Sequence, residues 1–389
     1  MQHKLYGKKP SNNNNIITLM DFIRTSINNE QLSSTPVFLK NTLLKKNVVL
    51  FVIDGIGFNY IRANKELRFL NSSLIGYMHS VFPSSTASGI TSYLSGLSPI
   101  NHGIFGWNQW ISGHEILCKP LPFRSKSGDK KLTEQGMHIE NHFNIPSFFE
   151  GLKCDSYTYS PHFISEEPFN VYMTRGSKRT AYKSFDEIIF YLDGNLNKNL
   201  NKSYHYVYYP FFDSLCHEHG VTNLKTREES KKIDKYLSKL SEKILGDNAT
   251  LIITSDHGMI DIPNEKQLTL NSFPKLKSLL SRPTSGEPRV IYCSVKKENR
   301  DKFIYEFNQE LEKYAYLSKS IELVEQGWFG YYPHKFLISK EDAICDFTII
   351  MKENYALTDN IDGEINNKFI GMHGGISEDE IMIPLAVIP

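Results

Sequence analysis

The chain has 389 residues, 40% of them hydrophobic and 22% charged, which is enough to bury a full core and excludes a disordered or fibrous protein. Lys and Arg number 44 against 43 Asp and Glu, for a formal charge of +1, so no global field draws in a nucleic acid polymer. Cys118, Cys154, Cys216, Cys293 and Cys345 are scattered without a CxxC pair, which suits reduced thiols in a cytoplasm rather than a disulfide framework.

Residues 1–30 read as a polar tail, ending in four asparagines, plus one helix over 17–26. No apolar signal segment is visible there, and the most apolar short run, 48–53, is too short to cross a bilayer. The expectation is a cytoplasmic protein with no membrane contact. Residues 31–389 read as one catalytic domain. The run 47–53 is continuously apolar and β-branched, the pattern of a strand buried on both faces, and Asp54 follows it. In segment 81–96, Pro83 and the small hydroxyl residues read as a helix entry and Gly96 as its exit. Thr86 then lies near a helix N-terminus, where free N–H groups favour an alkoxide and a phosphate; Ser84 and Ser85 are equally good caps.

Helical patterns follow over 185–193, 228–244 and 301–314, and strand patterns over 206–209, 251–254 and, more weakly, 347–351. Strands alternating with helices predict an α/β fold with a largely parallel central sheet flanked by helices. Ligands of such sheets sit at the carboxyl ends of the strands. There the sequence places Asp54 and, after 251–254, Asp256-His257-Gly258. Asp213 and His217 stand four apart, so one helical turn puts both on one face, able to grip one ion; His219 falls off that face. His373 lies in Gly371-Met-His-Gly-Gly375, a tight loop that leaves its Nε2 accessible. Residues 262–344, with Gly286-Glu-Pro-Arg289 and the aromatic stretch from Gly327 to Tyr332, read as an inserted α+β subdomain that either covers the site like a lid or is purely structural.

Asp54 after a strand, Phe82-Pro-x-x-Thr86, Gly96-Leu-Ser-Pro-x-x-His102-Gly103, Asp213-x-x-x-His217, Asp256-His257-Gly258 and His373-Gly374, in this order, resemble the alkaline phosphatase superfamily. Within it the chain is similar to the type I phosphodiesterase/nucleotide pyrophosphatase family, over residues 47–388 and including Pro384-Leu385. The resemblance implies an alkaline phosphatase-like fold and two divalent metal ions, usually zinc. Asp54, Asp256 and His257 would hold one, which also contacts the Thr86 oxygen; Asp213, His217 and His373 would hold the other. It further implies Thr86 as a nucleophile that forms a phosphothreonine intermediate, and an asparagine beyond His102-Gly103 as a donor to the phosphoryl oxygen. Asn108 is the candidate, set slightly further on than the family pattern.

Between Arg68 and Lys119 there is no Lys or Arg, so the nucleophile segment brings no cation for the second charge of a phosphate monoester. The expected substrate is a small phosphodiester or nucleotide, with Arg175 and Arg289 as the cations that could change this. Trp107, Trp110 and Phe82 are candidates to stack on a base or to pack. Thr86-Ala-Ser-Gly lacks the C/S-x-P-x-R context of a sulfatase. A phosphomonoesterase or phosphonoacetate-type hydrolase on the same fold, and a metal-stabilised nucleotide-binding protein without turnover, are the rival readings.

Overall fold

The computed structural model describes residues 9–11, 13–31, 37–111, 113–198, 201–244, 249–330, 343–360 and 369–389. The first part of the N-terminal tail, and Tyr331 and Tyr332 of the aromatic stretch, lie outside them.

The central sheet has seven strands: β1 (Asn47–Ile53), β2 (Leu74–His79), β3 (Asp155–Pro161), β4 (Lys178–Tyr182), β5 (Ser203–Tyr209), β6 (Ala249–Thr254) and, at the C-terminus, Met382–Ile388. Their spatial order is β2, the C-terminal strand, β6, β1, β5, β3, β4. Strands β6, β1, β5, β3 and β4 run parallel, and the C-terminal strand pairs antiparallel with both β6 and β2. The largely parallel α/β sheet expected from the sequence is therefore present.

The continuous apolar run of β1 follows from its central position. Val48, Leu50 and Val52 enter one hydrophobic core with helix α1 (Ile16–Asn28) and helix α2 (Thr86–Ser95). Val49, Phe51 and Ile53 enter the opposite core with α3 (Phe185–Lys198), α4 (Phe211–His219) and α5 (Leu224–Ile244). A strand covered on both faces has no polar side to advertise, and each such buried side chain is worth roughly 1.5–3 kcal/mol. The asparagine run has a structural use as well. Asn15 caps α1 in a reciprocal box with Thr18, and Asn14 Nδ2 donates to the Tyr77 carbonyl on edge strand β2.

A second, four-stranded sheet holds Ser285–Glu287, Val290–Cys293, Phe347–Met351 and Ala315–Lys319, in that spatial order and antiparallel throughout. Residues 347–351, which the sequence pattern alone aligns with the buried strands, thus pair inside this smaller sheet. They carry it past residue 344, where the inserted segment is expected to end. One face packs on the helix Arg300–Glu310 through Phe303 and Phe307. The other joins Phe82, Ile100 and Phe105 of the main body through Val290, Tyr292 and Phe329. That second core lies directly beneath the segment that leads into Thr86.

Candidate metal centre and active site

The carboxyl ends of the neighbouring strands β6, β1 and β5 converge. Asp54 leaves β1, its N–H still donating to the Tyr209 carbonyl at 2.9 Å, and Asp256 and His257 follow β6. After β5, Pro210 starts α4, which carries Asp213 in its first turn and His217 one turn later, with His217 Nε2 3.4 Å from Asp213 Oδ2. His373 arrives on the loop after residues 371–372, and its ring stacks on that of His257 with centroids 3.7 Å apart. His219 lies beside Glu218 and Lys225, off the shared face as expected.

Two groups form around this meeting point. Asp54, Asp256 and His257 present donor atoms within 4.8 Å of one another, and so do Asp213, His257 and His373. His257 therefore faces both groups, while His217 joins the second through Asp213. His257 Nε2 lies 3.3 Å from Asp54 Oδ1 and 3.4 Å from Asp256 Oδ2; His373 Nε2 lies 3.9 Å from Asp213 Oδ1.

The hydrogen bonds around these groups set the tautomers. His217 Nδ1 donates to the Gly371 carbonyl at 2.7 Å, His257 Nδ1 to the Gly258 carbonyl at 3.0 Å and His373 Nδ1 to the Ser84 carbonyl at 3.1 Å. A carbonyl only accepts, so each ring carries its proton on Nδ1 and turns a lone pair on Nε2 into the site, the arrangement typical of ligating histidines. Meanwhile Asp54 Oδ1, Asp213 Oδ1 and Asp256 Oδ2 are buried and accept no hydrogen bond among the described residues. Tyr208 OH occupies the other oxygen of Asp54.

Three buried carboxylates with orphaned oxygens, facing imidazole lone pairs, call for cations that the side chains do not supply. Burial, then the charges of Asp256 and Asp213, push the Asp54 carboxyl well above its usual range; burial raises Asp256 as well, against the pull of His257. Burial, with His257 and His217 nearby, drives His373 well below the ordinary histidine range, so it is neutral and ready to ligate. Oxygen and imidazole donors in this number fit divalent ions such as zinc.

Thr86 is the first residue of α2, with Ser85 at the N-cap position, and its Oγ1 donates to His257 Nε2 at 3.0 Å. The helix can sit this close because Gly89 faces Asp256, where an added Cβ would fall 2.9 Å from the Asp256 Cβ. Ser85 caps nothing with its side chain. Its hydroxyl donates instead to Glu287 Oε1, which also accepts the Trp107 N–H at 2.7 Å. Asn108 forms a two-bond bridge with Gly286 through its backbone, and its Oδ1 is buried without a partner among the described residues.

Thr86, Asp54, Asp213, His217, His373, Asn108 and Glu287 open into one cleft of about 630 Å³. Its far wall is apolar, formed by Ile90, Leu94, Phe163, Ile164 and Phe169. Trp107 lines the cleft and is 37% exposed, whereas Trp110 is buried with its indole N–H on the Pro283 carbonyl. Phe82 is packed edge-on against Trp328 and tilted against Phe329, both 5.2 Å away, so it serves the core rather than a base. His102 turns its Nδ1 to the Ile104 N–H and its Nε2 to Ser92, shaping the turn before Phe105.

Neither arginine held in reserve serves the cleft. Arg289 pairs through two hydrogen bonds with Glu380, and Arg175 bonds the Tyr172 and Ile145 carbonyls. Among the described residues, the cations in the cleft wall are Lys119, paired with Asp129 at 2.9 Å, and Lys126, which donates to the Asp359 carbonyl at 3.1 Å. Sequence reasoning passed over Lys126, Tyr208 and Glu287. Only Glu287 had a signal, its place in the Gly286-Glu-Pro-Arg289 turn.

The model of the type I phosphodiesterase/nucleotide pyrophosphatase family matches residues 48–376. No curated protein matches the chain. Among solved structures, murine ectonucleotide pyrophosphatase/phosphodiesterase 5 is similar at 15% identity and a TM-score of 0.65, covering 87% of each chain. Its inactive threonine-to-alanine variant in complex with AMP gives 15% and 0.63, covering 88% of this chain and 87% of that one. The human counterpart gives 16% and 0.64, covering 87% of each. With the family model spanning most of its length, the chain belongs to the type I phosphodiesterase/nucleotide pyrophosphatase family and is a phosphoric ester hydrolase that uses divalent metal.

Proposed function

We propose that the chain cleaves phosphodiester or nucleotide pyrophosphate bonds through a phosphothreonine intermediate on Thr86, with two zinc ions as cofactors. The observation that carries this reading is the set of three orphaned, buried carboxylate oxygens facing three histidine lone pairs beside a helix-terminal hydroxyl. Asp54, Asp256 and His257, with the Thr86 oxygen, would hold one ion, and Asp213, His217 and His373 the other. When bound, such ions lower the pKa of an attacking oxygen and neutralise charge on the leaving oxygen.

The protein's own groups supply the rest. Thr86 Oγ1 forms an ester bond to phosphorus as the bond to the leaving oxygen breaks, and water then cleaves the threonine ester and restores the hydroxyl. The N-terminus of α2, which starts at Thr86 and has no side-chain cap, would present its N–H dipoles to the phosphoryl group. Among the described residues Asn108 Nδ2 has a single, long contact, 3.4 Å to the Gly286 carbonyl, which leaves it able to donate to a non-bridging oxygen. Tyr208 holds Asp54 in one orientation, and the three backbone carbonyls do the same for the histidines. The apolar wall suits an organic ester group more than a bare phosphate, and the AMP complex of the murine neighbour supports a nucleotide as that group.

The test is turnover of bis-p-nitrophenyl phosphate beside p-nitrophenyl phosphate. Faster diester cleavage, abolished by Thr86→Ala and by a chelator, is expected; diester turnover that survives Thr86→Ala contradicts the proposal.

A further inference from the structure

Glu287 is a buried carboxylate on the wall of the cleft that the mechanism above does not use. It touches three sides of the phosphoryl site. Its Oε1 accepts hydrogen bonds from the hydroxyl of Ser85, which precedes Thr86, and from the N–H of Trp107, which precedes Asn108. Its Cβ packs on Gly374, which follows His373; a Cβ added to that glycine would fall 2.9 Å away, and its φ of +111° suits no other residue. The residue is 7% exposed and lies between Gly286, bridged to Asn108, and the turn to Arg289.

This placement has two consequences for an incoming phosphate. The Ser85 hydroxyl is a donor that could otherwise rotate toward a phosphoryl oxygen, and it is spent on the carboxylate, as is the backbone N–H of Trp107. The carboxylate also adds a negative charge beside a site whose lining lysines among the described residues, Lys119 and Lys126, are engaged by other partners. A diester carries one negative charge on its non-bridging oxygens, and a monoester dianion carries two. Repulsion at short range in a buried setting weighs most on the second charge.

We infer that Glu287 is a specificity-determining residue that rejects dianionic phosphate esters and so sets the preference for diesters. This rests on the phosphodiesterase reading above and names the group that enforces it.

The test uses the metal-loaded protein at about pH 9, where both the carboxylate and inorganic phosphate are ionised, since burial raises the Glu287 carboxyl only to about 7. Inorganic phosphate is titrated calorimetrically into Thr86→Ala and into Thr86→Ala/Glu287→Gln. Gln keeps an oxygen for both donors and removes the charge. Phosphate should bind about tenfold tighter to the double variant, and the monoester-to-diester ratio of kcat/KM should rise by a similar factor in Glu287→Gln alone. A change in phosphate affinity of less than about threefold overturns the inference. A purely structural role would slow both esters together and leave the ratio unmoved. Should Glu287→Gln fail to fold, judged by metal content and a cooperative thermal transition, Glu287→Met is titrated instead; it removes the charge and releases both donors, and a change of less than about threefold there overturns the inference equally. Because phosphate binding is measured without turnover, it judges Glu287 even if Thr86 proves not to be the nucleophile.

Discussion

Changing Glu380 to Gln, a near-isosteric substitution, should destabilise the fold severely. Glu380 and Arg289 are 0% and 1% exposed, and the guanidinium meets the carboxylate through Nε–Oε1 at 3.0 Å and Nη2–Oε2 at 2.9 Å. The carboxylate also accepts the Gly375 N–H at 2.8 Å and the Ser377 hydroxyl at 2.7 Å. Burial alone would raise the carboxyl, yet the Arg289 charge and these hydrogen bonds outweigh it and hold Glu380 below the usual range. Glu380→Gln leaves the buried guanidinium without a counter-charge, its acceptors reduced to one amide oxygen and the Lys352 and Tyr355 carbonyls. Breaking such a pair from one side costs about 3–5 kcal/mol. Replacing both partners, as Arg289→Met/Glu380→Leu, should cost less than the sum of the single changes, because no charge is left stranded. Since the folded carboxyl is depressed, its contribution is complete above the unfolded value near ~4.3 and is lost as pH falls through the folded one. Urea unfolding at pH 7 of the wild type, Glu380→Gln, Arg289→Met, Glu380→Leu and the double variant, and of the wild type in acid, measures all of this. A cost for Glu380→Gln below about 1 kcal/mol would refute the reasoning. The same pair ties the small sheet to the loop of His373, two residues before Gly375, so Glu380→Gln should also speed metal loss.

Other consequences concern the metal centre and the cleft wall. In chelated protein Asp54 and Asp256 have raised pKa values, so its stability should be full in acid and fall as pH rises through that raised range. Loaded protein should show the opposite trend, because protons compete with metal, and calorimetry in buffers of different ionisation enthalpy should detect proton release on binding. Asp213→Asn should raise the thermal midpoint of the chelated protein by roughly 2 °C or more while abolishing its stabilisation by metal. A midpoint lowered in both forms would show that the carboxylates do not repel. Phe82→Ala should cost about 3–5 kcal/mol in urea unfolding with the monoester-to-diester ratio unchanged. Trp107→Ala should cost about 1 kcal/mol or less yet raise KM for aryl diesters several-fold; equal KM values would remove Trp107 from the substrate wall.

Much of this cluster was legible because its candidate ligands follow unusually plain elements. The apolar run 47–53 and its counterpart before Asp256 are strands with no polar face, so the first acidic residue after each marks a carboxyl end. The four-residue spacing of Asp213 and His217 needed only a helix, and α4 provides it. The contacts of Glu287, of Tyr208 and within the Arg289–Glu380 pair were illegible for the opposite reason. Their partners lie 202, 154 and 91 residues away, and nothing in a local pattern records such distances. Residues 347–351 show the same limit. A five-residue apolar run identifies a buried strand but carries no information about which sheet receives it, and here the receiver is the smaller one. The absence of cations from 69–118 was read correctly along the chain, yet Lys119 and Lys126 fold back to the cleft wall, where carboxylate and carbonyl partners hold them. Among the described residues no helix is long and apolar enough to cross a membrane.

The nucleophile can be caught in the act. Metal-loaded protein mixed with bis-p-nitrophenyl phosphate, quenched in acid within one turnover and digested, should yield a peptide bearing a phosphoryl ester at Thr86. The same peptide from Thr86→Ala should carry no adduct, and that variant should release no p-nitrophenol while keeping its metal. An adduct on another residue, or a burst of product with Thr86 unmodified, would contradict the covalent mechanism.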